Sequence, residues 1–212
     1  RRVRRGDLVA IVRPGLLEQA PHGLAAVECT LSPALAGTAP GHRIFVDDGR
    51  LSTIVRSTAD WGVTVEILGD GEGPAAGEEA KGYRLKPEKG INFPDSEIAV
   101  PALTDDDRAI LPFVAGHADG IEFSFVQGPD DVADLQQAAP SPDGWRRIGL
   151  VKKVETRRAV RALPDMVVRA AGSQPAALMI ARGDLAVEIG FARLAEIQEE
   201  ILWLGEAAQV PV

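Results

Sequence analysis

The chain has 212 residues, 45% hydrophobic and 25% charged, with a formal net charge of −8 at pH 7. This composition predicts an ordered chain of one large or two small domains, and its acidity argues against a nucleic-acid partner, whose phosphates call for clustered Lys and Arg. The lone Cys29 leaves no internal disulfide or multi-cysteine metal site and suits the cytoplasm, and no apolar run of about 18 residues offers a membrane span.

In chain order, Arg1, Arg2, Arg4 and Arg5 form a short basic run that reads as a solvated end, and no apolar secretion signal follows it. Short strands are predicted over 7–12, 24–30, 43–46, 51–56 and 62–68, punctuated by Gly, Pro and Asp. Val63, Val65 and Ile67 alternate with Thr64 and Glu66, the period of a half-buried strand. So many strands in so short a length suggest a small β-barrel. Residues 69–82, rich in Gly and Glu, read as a long acidic surface loop. His22, His42 and His117 each neighbour a turn residue and read as loop residues rather than as bases or ligands.

Near residue 95 the pattern switches to helices alternating with apolar strands. Thr104 before Asp105, Asp106 and Asp107 is a helix start, with a capping hydroxyl and acids at the positive end of the dipole. The helix is predicted to reach about 116, with Pro112 as a kink. A strand over 120–126, a helix over 129–137, a strand over 148–155 and a helix over 156–163 follow. A strand over 177–182 and a helix over 191–208 come next, and Val210-Pro211-Val212 reads as the start of another strand. Such alternation implies parallel βαβ units, either doubly wound or part of a (β/α)8 barrel. The units present are too few to close eight strands, so the natural chain is expected to continue beyond both ends.

The chemistry-bearing residues sit at the ends of the later strands. Lys153 and Glu155 are two apart and should share one side of their strand. A phosphate together with a divalent metal would satisfy both, and an exposed ion pair on an edge strand is the plainer alternative. In Ala181-Arg182-Gly183-Asp184-Leu185 an apolar strand runs straight into Arg-Gly-Asp. Glycine permits close backbone approach to a ligand, and amides after it can bind an anion. Asp184 would be a second hard oxygen ligand beside Glu155, a donor set suited to Mg²⁺. The alternative is a simple turn with a surface ion pair.

Five segments, in order, resemble the pyruvate kinase family. Ile44-Phe45-Val46-Asp47-Asp48-Gly49 is similar to its Ile-Asp-Asp-Gly turn, and Lys89-Gly90-Ile91-Asn92-Phe93-Pro94 to its Lys-Gly-Val-Asn-Leu-Pro. Phe123-Ser124-Phe125-Val126 resembles Ala-Ser-Phe-Val, Lys153-Val154-Glu155 resembles Lys-Ile-Glu, and the 179–189 segment MIARGDLAVEI resembles MVARGDLGVEI. The resemblance implies a β-barrel lid domain over 1–94 and a partial (β/α)8 TIM barrel over 95–212. It implies phosphoryl transfer between phosphoenolpyruvate and ADP, giving pyruvate and ATP in glycolysis, within a longer cytoplasmic and homo-oligomeric protein.

By the same resemblance, Lys153 is the catalytic lysine, and Glu155 and Asp184 ligate Mg²⁺ or Mn²⁺. The Gly183 and Asp184 amides hold the substrate carboxylate, Arg182 supports their loop as part of the substrate site, and Ser124 lines the potassium and phosphate region, with K⁺ as a further cofactor of the longer protein. Asp48 and Lys89 approach the nucleotide. Three positions depart from the pattern: Gln127 stands where a basic residue is common, Ala186 where glycine is usual and Gly190 where proline is usual. The family's early arginine and asparagine, its potassium-site aspartate and the threonine of its Ala-Thr-Gln strand have no counterpart within the 212 residues. The fragment itself is therefore expected to be inactive. A metal-dependent lyase or aldolase acting on pyruvate-type acids and a non-catalytic ligand-binding homologue are the other readings. The lid and Lys153 weigh against the first, whereas Gln127 and the missing residues lend weight to the second.

Overall fold

The computed structural model describes residues 2–70, 82–96, 98, 100–139 and 145–212. They form two compact units, Arg1–Val100 and Pro101–Val212. Among the described residues no helix is long and apolar enough to cross a membrane.

The first unit is built on strands β1 (Arg2–Val3), β2 (Leu8–Val12), β3 (Ala25–Glu28), β4 (Arg43–Val46), β5 (Leu51–Ala59), β6 (Gly62–Asp70), β7 (Tyr83–Arg84) and β8 (Ile91–Asn92), with a short helix α1 (Ser32–Ala36). Six strands make one sheet in the order β3-β2-β6-β5-β4-β8, and β1 pairs with β7 separately. Only β2 and β3 run parallel within the six; the other pairs are antiparallel. The register sets Val9 opposite Val65 and Ile11 opposite Val63, so the apolar alternation of two strands meets on one side. Val9, Ile11, Ile44, Leu51, Val55, Val65 and Ile67 are buried in a single cluster. The β5–β6 hairpin needs its glycine: at Gly62, with φ +148°, a Cβ would stand 2.1 Å from the Ile11 carbonyl oxygen. The expected acidic loop over 69–82 falls mostly on residues 71–81, outside the described ones, and Gly69 and Asp70 belong to β6.

The second unit alternates helices α2 (Asp105–His117) and α3 (Pro129–Ala138), with α4 (Arg157–Ala171), α5 (Arg182–Ile189) and α6 (Phe191–Ala208) further on. Between them run strands β9 (Gly120–Phe123), β10 (Gly149–Val154) and β11 (Ala176–Ile180). The three strands are parallel and lie side by side in chain order, as successive strands of a barrel do. Phe123, Leu150, Val154 and Leu178 face a core shared with Val132, Leu135, Leu163, Met166 and Ile201 of the helices. Leu178 N–H donates to the Pro211 carbonyl at 2.8 Å, so the segment read as a further strand does lie beside β11.

Thr104 caps α2 in a reciprocal box with Asp107, as its sequence predicts. Several boundaries differ from the sequence reading, and three of the differences have a clear physical setting. The strand expected over 120–126 stops at Phe123, because Phe125 turns the chain with φ +53°. The helix expected to end at 163 runs through Pro164 to Ala171. Ala159, Leu163, Met166, Val167 and Ala170 are buried at helical spacing, and that stripe outweighs the hydrogen bond the proline removes. The strand expected over 177–182 ends at Ile180, and Arg182-Gly183-Asp184 is the first turn of α5.

Candidate functional site

Alternation along β10 decides which lysine is available. Leu150, Lys152 and Val154 are buried on the helix side, whereas Val151 and Lys153 are half-buried on the other. Lys153 Nζ reaches Glu155 Oε1 at 2.9 Å and Ser124 Oγ at 2.9 Å. The second oxygen of Glu155, Oε2, accepts a short hydrogen bond from the Phe125 backbone N–H. Glu155 is only 1% exposed, so this carboxylate is buried but fully engaged. The hydrogen bond to Glu155 raises the Lys153 pKa, burial opposes that shift, and the charges of Glu155, Asp184 and Glu122 add to it.

Phe125 makes this geometry possible and was not visible in the sequence. A left-handed backbone is unfavourable for a bulky L-residue, by about 1 kcal/mol or more. Here it swings the chain immediately after Ser124 so that one N–H points at Glu155. Glu122 was also unforeseen: the β9–β10 register sets it opposite Val151, hence on the Lys153 side of the sheet.

At the neighbouring strand end, β11 passes through Ala181 into α5, and Leu185 N–H donates to the Ala181 carbonyl at 3.0 Å. Gly183 lies in that first turn, and among the described residues nothing beyond its neighbours and its own helix backbone comes within 4 Å of where its Cβ would be. The backbone there is open to an approaching ligand. Gly190, at φ +88°, separates α5 from α6, a conformation that proline could not adopt.

In the first unit, residues 47–50 form the β4–β5 turn, with Asp48 and Gly49 both at positive φ and Arg50 N–H donating to the Asp47 carbonyl at 3.1 Å. Lys89 pairs with Asp47 (2.8 Å) rather than with Asp48, and the Tyr83 hydroxyl donates to the other Asp47 oxygen at 2.9 Å. Burial pushes the Asp47 carboxyl up, but its bonds to Lys89 and Tyr83 outweigh this and leave its pKa lowered. Burial and the bond to Asp47 raise that of the Tyr83 phenol. Asp48 stays exposed at the turn, and Lys89 lines a cleft of about 570 Å³ with Lys86, Glu88, Val46 and Ile91.

Of the residues singled out in the sequence, Ser124, Lys153 and Glu155 are in direct contact, and Asp184 acts on the same ammonium through its charge. Arg182 and Gly183 share the first turn of α5 with Asp184, while Asp48 and Lys89 belong to the first unit. Among the described residues no three or more His, Cys, Asp or Glu side chains make a ready cage for an ion.

The family pattern described as pyruvate kinase, barrel domain, matches residues 25–212. The chain is 31% identical to a pyruvate kinase of Methylorubrum extorquens over 84% of its own length and 33% of that protein's. It is 30% identical to one of Hypocrea jecorina over 82% of this chain and 29% of the relative, and 29% identical to one of Clostridium perfringens over 77% and 31%. It thus spans about a third of the length of these curated relatives. A family match covering the three parallel βα units and both motif-bearing strand ends shows that this chain belongs to the pyruvate kinase family, with a partial barrel as its second unit.

Proposed function

We propose that this chain carries the phosphoenolpyruvate and metal part of a pyruvate-kinase-like site, within a cytoplasmic, homo-oligomeric protein that transfers phosphate between phosphoenolpyruvate and ADP. The observation that carries this reading is the Lys153 ammonium, held at 2.9 Å by both Ser124 and Glu155 where β10 ends. In the reaction an ADP oxygen attacks phosphorus, the bond to the enol oxygen breaks, and the enolate left behind takes a proton to become pyruvate. Charge moves onto phosphoryl oxygens as this happens, so a fixed ammonium and positioning supply most of what a protein must contribute.

Lys153 is the group that meets the phosphoryl charge, and Ser124 orients it. The first turn of α5 offers the Gly183 and Asp184 amides to the substrate carboxylate, with Arg182 supporting the turn. Glu155 and Asp184, two carboxylates facing one cationic centre, fit a hard divalent cation that keeps its other positions for water and substrate. Mg²⁺ or Mn²⁺ there would neutralise phosphate charge, and K⁺ is a further cofactor on this reading. Asp48 and Lys89 would serve the nucleotide.

Pyruvate formation from phosphoenolpyruvate and ADP, followed in the natural protein that contains this chain, tests the reading. Lys153→Met should lower kcat by about a hundredfold or more, since one charge aimed at the transition state contributes about 3 kcal/mol. Unchanged turnover would remove Lys153 from the catalytic role.

A further inference from the structure

Both oxygens of Glu155 are occupied, and by partners of different stiffness. Oε2 accepts from the Phe125 N–H, a backbone group fixed by the φ +53° turn. Oε1 holds Lys153 Nζ at 2.9 Å, at the end of four flexible methylenes. A divalent cation on Oε1 would lie about 2 Å from that oxygen, so an ammonium still bonded there would be a like charge no more than about 5 Å away.

We propose that Lys153 and a divalent cation compete for Glu155 Oε1, so that the cation enters by exchange with the ammonium and Glu122 receives the displaced side chain. The inference rests on the metal-binding role proposed for Glu155. Ser124 Oγ, already 2.9 Å from Nζ, is the pivot that the ammonium keeps while it leaves Glu155. Glu122 lies two residues before Ser124, on the same side of the sheet, and its charge already acts on Lys153. The cation-free site is therefore a closed ion pair. Loading the cation releases Lys153 from Glu155 and leaves it available to an anionic phosphoryl group, which sets an order of addition with the cation first.

Mn²⁺ binding to the 212-residue chain, read from the electron paramagnetic resonance of the free ion, tests the exchange without any turnover. Lys153→Met should tighten binding by about three- to tenfold, and Lys153→Arg, which keeps a competing cation, should leave it within about twofold. Glu122→Gln should weaken binding by about threefold in the natural sequence and have no effect in the Lys153→Met background, because Glu122 acts only through the displaced lysine. Equal weakening in both backgrounds would mean a simple field effect and would overturn the exchange while leaving the metal site intact. Mn²⁺ binding that Glu155→Gln does not diminish, or no Mn²⁺ binding by either the natural chain or Lys153→Met, would overturn the metal role of Glu155 and the exchange with it.

Discussion

Lys152 and Lys153 are adjacent and live in opposite surroundings. Lys153 has a carboxylate and a hydroxyl, whereas the Lys152 amine is fully buried with no hydrogen-bond partner among the described residues. Burial pushes the Lys152 pKa down from 10.5 to about 8. Below pH 8 the ammonium is present in both folded and unfolded chains, and the folded chain bears the whole desolvation cost. Between pH 8 and 10.5 the folded chain gives up its proton first, so the unfolded chain binds more protons and stability rises with pH. Lys152→Met should therefore stabilise the second unit by about 2–3 kcal/mol at pH 7, with the gain fading as pH rises from 8 to 10.5. Urea unfolding at several pH values measures it, and a loss of stability at pH 7 would contradict it. The spacing of Lys153 and Glu155 made their shared side legible in the sequence, because strand alternation has a fixed period of two. The Asp47-Asp48-Gly49 turn was legible too, since Asp and Gly tolerate positive φ between strands, whereas the left-handed turn at Phe125 was not, because nothing in a Phe announces the sign of φ.

Elements with a strong period agree with the sequence reading, and the differences fall where proline or glycine suggests an ending that packing overrides, and at Phe125, whose left-handed backbone ends β9 early. The helix over 191–208 and the strand over 43–46 agree with α6 and β4, and Thr104 begins α2 as expected. Pro164 and Gly183 were misleading because local propensity is weak against a buried stripe or an eight-residue helix running on from a strand end. The start of α4 rests on the Thr156 hydroxyl, which accepts from the Ala159 N–H at 3.0 Å, so Thr156→Ala should cost about 1 kcal/mol. Leu163→Ala, at a buried position of the same helix, should cost about 2–5 kcal/mol. If the two losses were equal, the cap rather than the stripe would be holding the helix. In the first unit Asp95 ties the segment after β8 to β4 through Arg43: it accepts from the backbone N–H at 2.9 Å and pairs with the guanidinium at 2.7 Å. The Arg43 hydrogen bond, opposed by burial, holds the Asp95 carboxyl at about 2, below its ordinary 3.8. Stability from this pair is present above pH 4 and is lost as pH falls toward 2. Because the pair is partly exposed, Arg43→Ala should cost only about 0.5–1 kcal/mol at pH 7 and next to nothing at pH 2.

At the scale of the molecule the chain has two separate cores. One cluster gathers Val9, Ile11, Ile44, Val65 and their neighbours, all within the first unit. The other gathers Leu150, Val154, Leu163, Leu178 and Ile201, all within the second. Among the described residues none belongs to both, so a cavity opened in one core should be felt by the amides of that unit first. Ile44 is fully buried, and Ile44→Ala removes three carbons from the centre of the β-rich unit, a change worth about 2–5 kcal/mol. Hydrogen exchange followed by mass spectrometry should then show faster exchange across β2, β5 and β6. Amides of β10 and β11 should keep their natural rates. Leu163→Ala should give the mirror result, speeding β10 and β11 and sparing β5 and β6. If either substitution accelerated both units equally, the two cores would be unfolding as one cooperative body, and their independence would have to be abandoned.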